Sequence, residues 1–335
     1  MTAKRYVFAI FVFLFAFPVF VGLVGGPVID PYNVFHVEGI RDNGIEPNKH
    51  YIKMAYLLRH PDKFNTFLFG SSKVEAIHTE KIEGENCYNM TYSVGVPAEH
   101  LANLRTFLAN GIHPDKIYLG VDSSSYKTDP NQHIKQPLRC PYEYLKDHPI
   151  YFYSLYMNPA VILGSLYSMH NEHRDYDYAG TFYQYGAYAP YGKGSAVAPA
   201  QAMDYDIDDT LLDKTLEEIH AIVEICRSED IKIVVFVNPT HHTLYRDALS
   251  RGHTNFFRRL ADITEFYNFD GLNDIALNNN NFRDLSHYKP EIGDMILEVI
   301  FGGMKYEGLY EQGFGWKVTK HNVSEFLRLP AISGK

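Results

Sequence analysis

The longest apolar run comes first. After Lys4 and Arg5, residues 6–26 (YVFAIFVFLFAFPVFVGLVGG) carry no charge. A helix crosses the hydrocarbon core in roughly 20 residues, so the run predicts a transmembrane helix. Pro18 is compatible with it, because neighbouring groups in a membrane helix can satisfy the backbone that a proline frees. A cleaved signal peptide is the competing reading. Its apolar region is usually about 7–15 residues and ends at a small-residue cleavage site; this run is longer and shows none. With Lys4 and Arg5 the cations before the span, residues 1–5 are expected in the cytoplasm and the chain from residue 27 onward outside it. Cleavage would leave that location unchanged.

Beyond the apolar run, residues 27–60 read as a connector. It holds PVIDPYNVF (27–35) and a short amphipathic helix over 49–59 that Pro61 ends. A repeating pattern follows: strand 64–69 (FNTFLF), strand 86–92 (NCYNMTY), helix 97–110, strand 116–122 (KIYLGVD). It resumes with a helix over 207–228, where Leu211, Leu212, Leu216, Ile219, Ile222, Val223 and Ile225 recur at helical spacing. Strand 231–238 (IKIVVFVN) is apolar almost throughout, as a central strand covered on both faces would be. A helix near 254–262, a strand at 263–269 and a helix over 290–301 complete the series. Strands alternating with helices imply crossover connections and a parallel sheet. The fold class expected over residues 61–305 is α/β, a three-layer sandwich on a flavodoxin-like parallel sheet, with 306–335 as a C-terminal tail.

Residues 125–205 interrupt the alternation. Tyrosine, glycine and proline dominate 141–159 and 176–194, so this segment is expected to be an insertion packing over the sheet. Two readings stay open: a lid whose tyrosines form a satellite core, and a glycan-binding face built from aromatic platforms.

Composition narrows the function classes. A net charge of −9 without a basic stripe argues against nucleic-acid binding. Cys87, Cys140 and Cys226 are an odd count without C-x-x-C spacing, which signals neither a zinc site nor a disulfide framework. HNEH (170–173) is not the zinc-protease spacing, and DYDIDD (204–209) lacks the glycine and distal glutamate of a calcium loop. No metal is expected. Asp208 and Asp209 favour the start of the helix that follows.

Candidate chemistry gathers at the carboxyl ends of the strands, where an open α/β sheet forms its ligand crevice. The first strand runs into Gly70, Ser71 and Ser72, the second into Ser93 and Gly95, the third into Asp122 and Ser123. The fourth ends at Asn238, ahead of Pro239, His241 and His242, which read as a helix start. After the last strand comes DLSHYKP (284–290). Asp284 and His287 are close enough for one loop to offer both to a serine: the imidazole takes the hydroxyl proton while the carboxylate fixes its tautomer and stabilises the imidazolium. Ser72, His287 and Asp284 are therefore a candidate triad, with Ser71 as the turn residue beside the nucleophile.

FLFGSS with Ser72, Gly95 in NMTYSVGVP (89–97), and Asp284 with His287 together resemble the sequence blocks of the SGNH (GDSL-like) hydrolases and acyltransferases. The N-terminal anchor, the DPYNVF connector, GSS in place of GDS, and HYKPEIGDMIL after the histidine are similar to the membrane-anchored members. Those work beside membrane-bound O-acyltransferases in cell-envelope polymer modification, the teichoic-acid D-alanyl transfer proteins among them. The resemblance covers roughly residues 28–302. It implies a serine nucleophile at Ser72 and an oxyanion contact at Gly95; Asp122, Ser123 and Asn238, by their places at strand ends, are the further candidate oxyanion or substrate contacts.

In the third block the family usually has Gly-x-Asn, its asparagine donating to the oxyanion, whereas this chain has GVDSSSY (120–126). An ionised Asp122 would repel an oxyanion. Either Asp122 is protonated, or Ser123 donates, or the backbone amides of Ser72 and Gly95 serve alone. The function expected is serine-dependent O-acyl transfer, with acetyl the expected group, to a cell-envelope polysaccharide. The alternatives are an esterase using the same triad and a non-catalytic glycan-binding or assembly subunit. No acyl-coenzyme A or nucleotide motif is present, so no cofactor is expected, and acyl groups would come through a membrane-bound O-acyltransferase partner.

Overall fold

The computed structural model describes residues 3–41, 45–171, 178–186 and 209–335. Asp208, most of DYDIDD, the second half of HNEH and the tyrosine-rich run after Gly186 lie outside the described residues. The chain divides into two compact units, residues 1–59 with 133–180, and residues 60–132 with 181–335.

The second unit is α/β and carries a mostly parallel six-stranded sheet. Its strands are β1 (Thr66–Phe69), β2 (Cys87–Asn89), β3 (Lys116–Val121), β4 (Lys232–Val237), β5 (Phe266–Asn268) and β6 (Trp316–Val318), in the order β2-β1-β3-β4-β5-β6. All neighbours are parallel except β5 and β6. The order 2-1-3-4-5 is that of a doubly wound sheet, whose winding reverses between β1 and β3. That reversal opens a crevice beyond their carboxyl ends, in register through Phe69 beside Leu119.

The sequence explains these elements locally. All four residues of β1 are buried, as are Ile117 to Val121 of β3, because both faces are covered. Helix Pro97–Ala109 starts at a proline whose fixed φ suits the first helical position. Helix Asp209–Ser228 packs against it, burying Leu212, Leu216, Ile219, Ile222 and Val223. One expectation fails in this unit. Residues 306–335 are no tail, since Trp316–Val318 adds an antiparallel edge strand to β5 and Phe314, Phe326 and Ile332 are buried. The helix start read at His241 and His242 opens helix His242–Ser250, which precedes His253–Ile263.

In the first unit, helix Ala3–Phe20 runs through a π turn (Val21–Gly25) into Gly26–Ile29. Lys4–Ile29 is a run of 26 helical residues whose most apolar 18-residue window has a mean hydropathy of 2.9, long and apolar enough to cross a membrane. The connector is more ordered than its composition suggests. Asp30 ends the helix in the left-handed conformation and its carboxylate accepts from the amides of Val34 (2.8 Å), Phe35 (2.9 Å) and His36 (2.8 Å). Asn48 caps helix Lys49–Leu57 and donates through Nδ2 to the Cys140 carbonyl (2.9 Å) and the Tyr156 hydroxyl (2.7 Å).

The insertion is helical where it is described, over Tyr142–Asp147, Pro149–Tyr156, Pro159–Asn171 and Tyr178–Tyr185. Residues 133–180 of it belong to one unit with the N-terminal region, through ring pairs such as Tyr51 with Tyr142 and Tyr32 with Tyr156, each at 5.4 Å; Phe182, in the sheet unit, packs on Tyr88 of β2. Cys87, Cys140 and Cys226 are free and buried.

Candidate active site

β1 ends at Gly70, where a Cβ would lie 2.7 Å from a Val74 methyl, so the chain can turn tightly only with glycine there. Ser71 caps the 3-10 turn Ser72–Ala76 that follows. Its hydroxyl donates to Asp122 Oδ2 at 3.1 Å and accepts from the Lys73 amide at 3.4 Å, while its carbonyl accepts from Thr91 Oγ1 at 2.8 Å. Ser71 is thereby committed to holding the turn. Ser72 points its hydroxyl elsewhere: Oγ lies 2.8 Å from His287 Nε2.

His287 comes from a loop built to a narrow geometry. Phe282 and Tyr288 form an antiparallel bridge, the Arg283 amide donates to the His287 carbonyl (2.9 Å), and the Lys289 amide to the Asn281 carbonyl (2.9 Å). Within the loop Asp284 Oδ1 accepts from the amides of Ser286 (2.8 Å) and His287 (3.0 Å), and both its oxygens lie 2.8 Å from His287 Nδ1. Burial raises the Asp284 pKa, but the hydrogen bond and charge of His287 outweigh it and hold the carboxyl well below the usual carboxylate range. A carboxylate facing Nδ1 keeps the ring proton there and leaves Nε2 free to accept from Ser72. Ser72, His287 and Asp284 thus form one hydrogen-bonded line across 215 residues of sequence. Such a line can accept a serine proton and stabilise the imidazolium that results.

Asp122 does not stand as an unpaired charge. Asp122 is fully buried, and its carboxylate accepts from Ser71 Oγ, from the Ser124 amide (2.8 Å), from Ser124 Oγ, and from Lys73 Nζ at 3.1 Å. Burial raises its pKa, but Lys73 and the Ser124 hydrogen bonds outweigh this and hold it below the ordinary carboxylate value, which favours an ionised Asp122 paired with Lys73. Of the three alternatives for the oxyanion, this geometry favours those in which Asp122 stays ionised. Asp122 acts as the cap of the turn Ser123–Tyr126, closed by a return bond from its own amide to Ser125 Oγ at 3.2 Å. Ser123 is buried at the first position of that turn.

Gly95 lies where β2 runs out, and its amide donates to the Tyr92 carbonyl at 3.3 Å. It touches the nucleophile strand: a Cβ there would lie 2.8 Å from the Gly70 carbonyl. Val94 before it has φ +57°, a left-handed conformation that a β-branched residue adopts only under constraint. Asn238, expected among the oxyanion or substrate contacts, is fully buried and committed elsewhere. It donates to the Val121 carbonyl at 3.3 Å and accepts from the Tyr288 hydroxyl at 3.0 Å, tying β4 to the loop that presents His287. His241 caps helix His242–Ser250, and its Nε2 lies 2.8 Å from Asn279 Oδ1. Of the oxyanion candidates, the Ser72 amide is the first of its turn and so has no acceptor within it.

Two residues of this constellation escaped the sequence reading. Neither Lys73 nor Tyr288 is singled out by any sequence motif; the available signal is position, Lys73 directly after Ser72 and Tyr288 directly after His287. Among the described residues, no group of three or more His, Cys, Asp or Glu side chains could hold a metal ion. No protein-family model matches the chain, and comparison with curated proteins finds no significant relative.

Proposed function

We propose that this chain is an extracytoplasmic, membrane-tethered O-acyltransferase of the SGNH type, its sheet unit a three-layer sandwich of that family. Ser72 Oγ attacks the carbonyl carbon of an acyl donor while His287 Nε2 takes its proton. The tetrahedral intermediate collapses as His287 returns that proton to the leaving group, and an acyl ester remains on Ser72. A hydroxyl of a cell-envelope polysaccharide then attacks the ester, His287 accepting its proton and returning it to Ser72. The observation that carries this reading is the 2.8 Å contact of Ser72 Oγ with His287 Nε2, backed by Asp284, at the winding reversal of the sheet. The Ser72 amide is the oxyanion donor, and Lys73 cancels the charge of Asp122 that would oppose it. Acetyl is the acyl group we expect, delivered by a membrane-bound O-acyltransferase.

One observation favours a second reading. The Asp284 side chain is 50% exposed and that of His287 21%, so water can reach the base and serve as acceptor, which would make the enzyme an esterase. Full-length protein in detergent should be labelled by a fluorophosphonate at Ser72, and Ser72→Ala should abolish both the label and polymer acylation in cells. Absence of the label together with unchanged acylation in Ser72→Ala would overturn the proposal. Release of free acetate from acetylated glycan by the purified protein would select the esterase.

A further inference from the structure

Residues 149–169 carry no charged side chain. They form helix Pro149–Tyr156, a break at Met157 and Asn158, and helix Pro159–Asn171. The second helix is inside out. Ser165 is fully buried and Ile162 nearly so, whereas Leu163, Leu166 and Tyr167, spaced i, i+3 and i+4, are 50%, 43% and 73% exposed. Ile150 at 85% and Tyr153 at 51% extend the apolar surface along the preceding helix. A helix in water turns its apolar stripe inward. Among the described residues, the large apolar side chains that are exposed lie on the N-terminal helix or within 150–169, apart from Leu277, Phe301 and Met304.

This surface continues that of the membrane helix. Pro159–Asn171 packs on residues 21–29, and glycines make the approach possible. A Cβ on Gly22 would lie 2.6 Å from the Met157 carbonyl, and one on Gly25 3.1 Å from an Ile162 methyl. The helix pair is therefore fixed to the stretch where the membrane helix ends, beside exposed Leu23, Val24 and Val28. With 13 residues Pro159–Asn171 reaches only about 20 Å, short of the roughly 30 Å hydrocarbon core. It can lie in a leaflet but cannot cross. Aliphatic Ile150, Leu163 and Leu166 also suit acyl chains better than sugar rings, which stack on aromatic faces.

We propose that residues 149–169 are a second membrane contact, lying in the bilayer leaflet from which the C-terminal end of the N-terminal helix emerges. The contact fixes the orientation of the first unit at the bilayer surface, which a single spanning helix leaves free to rotate. The inference does not depend on the catalytic proposal.

The natural thiols are buried, so introduced cysteines can be labelled selectively. Ile150→Cys, Leu163→Cys, Leu166→Cys and, as an aqueous reference, Lys320→Cys would each carry an environment-sensitive fluorophore in the full chain. The protein would be reconstituted in phosphatidylcholine–phosphatidylglycerol vesicles. The expected result is quenching by lipids brominated on the acyl chains at positions 150, 163 and 166, several-fold above that at 320, at a depth of roughly 5–10 Å. Quenching by aqueous iodide at those positions would overturn the proposal. Protection from both quenchers would overturn it as well, because protein rather than lipid would then cover the face. All three sites are at the surface, so folding is retained, and the elution profile in detergent verifies it.

Discussion

Lys73 Nζ lies 3.1 Å from Asp122 Oδ1, with the two side chains 5% and 0% exposed, immediately behind the serine that faces His287. The pair joins the ends of β1 and β3, so it holds the turn of Ser72 against the winding reversal. Removing one partner of a buried pair leaves an uncompensated charge, which typically costs about 3–5 kcal/mol. Asp122→Asn and Lys73→Met should each destabilise by that order in denaturant unfolding of the micellar protein. The double variant should lose much less than the sum, because an asparagine side chain at position 122 can still accept from the Ser124 amide and no charge is stranded. Additive losses would show that the two side chains act separately. The Asp122 carboxyl has a depressed folded pKa, so its contribution is full above the unfolded carboxylate value near pH 4 and is lost as pH falls through the lower folded value.

His287 and Asp284 differ in exposure, and their variants should differ in consequence. His287→Ala removes the proton acceptor 2.8 Å from Ser72 Oγ and should slow fluorophosphonate labelling roughly 10³–10⁴-fold. Asp284→Asn should slow it less, about 10²-fold, since a half-exposed carboxylate is partly replaced by water in stabilising the imidazolium. Labelling rates measured against probe concentration separate the two. An unchanged rate in Asp284→Asn would remove the acid from the constellation.

Gly95 is held by close approach rather than by a turn conformation. A methyl group there would meet the Gly70 carbonyl at 2.8 Å and His100 Cε1 at 3.0 Å. Gly95→Ala should therefore displace the end of β1, lowering stability by about 1–3 kcal/mol and labelling of Ser72 with it. Gly39→Ala is the control, because nothing lies within 4 Å of a Cβ at that position. Full labelling in Gly95→Ala would mean that the two loops are not coupled.

Legibility followed from how each residue meets water. The helix over Asp209–Ser228 is visible in sequence because burial on one face leaves a period, and Lys232–Val237 because cover on both faces leaves an unbroken apolar run. Trp316–Val318 has three residues, too few for a period, and its strand character comes from pairing with β5. His242–Ser250 buries only Tyr245 and Ala248, so its start at His241 and His242 is legible but no apolar period carries it further. The helices of 142–171 were hidden for the opposite reason: apolar side chains point both inward and outward, and no contrast remains. At the site, Ser72, Asp284 and His287 each stood at a strand end or loop where chemistry is expected. Asp122 and Asn238 stood there too, but their roles depended on partners at Lys73 and Tyr288 that only the folded chain supplies.

Glu218 is a partly buried carboxyl whose ionisation is expected to cost stability. It lies on helix Asp209–Ser228 and accepts from the Ala98 amide in the first turn of Pro97–Ala109. Burial is the main influence and raises its pKa; the Ala98 hydrogen bond and Lys214 lower it, Glu217 and Glu99 raise it, and the carboxyl ends up at about 7. Between the ordinary value of 4.5 and about 7 the folded chain thus holds a proton that the unfolded chain has released. Its stabilising contribution is complete below the unfolded pKa and is lost as pH rises through the folded one. Glu218→Gln keeps an acceptor for the Ala98 amide and removes the titration. The variant should match the parent near pH 4.5 and exceed it in stability at pH 8, with a flatter profile between. Denaturant midpoints collected across that range test the sign directly, and parallel profiles for parent and variant would show that Glu218 ionises without penalty in the folded chain.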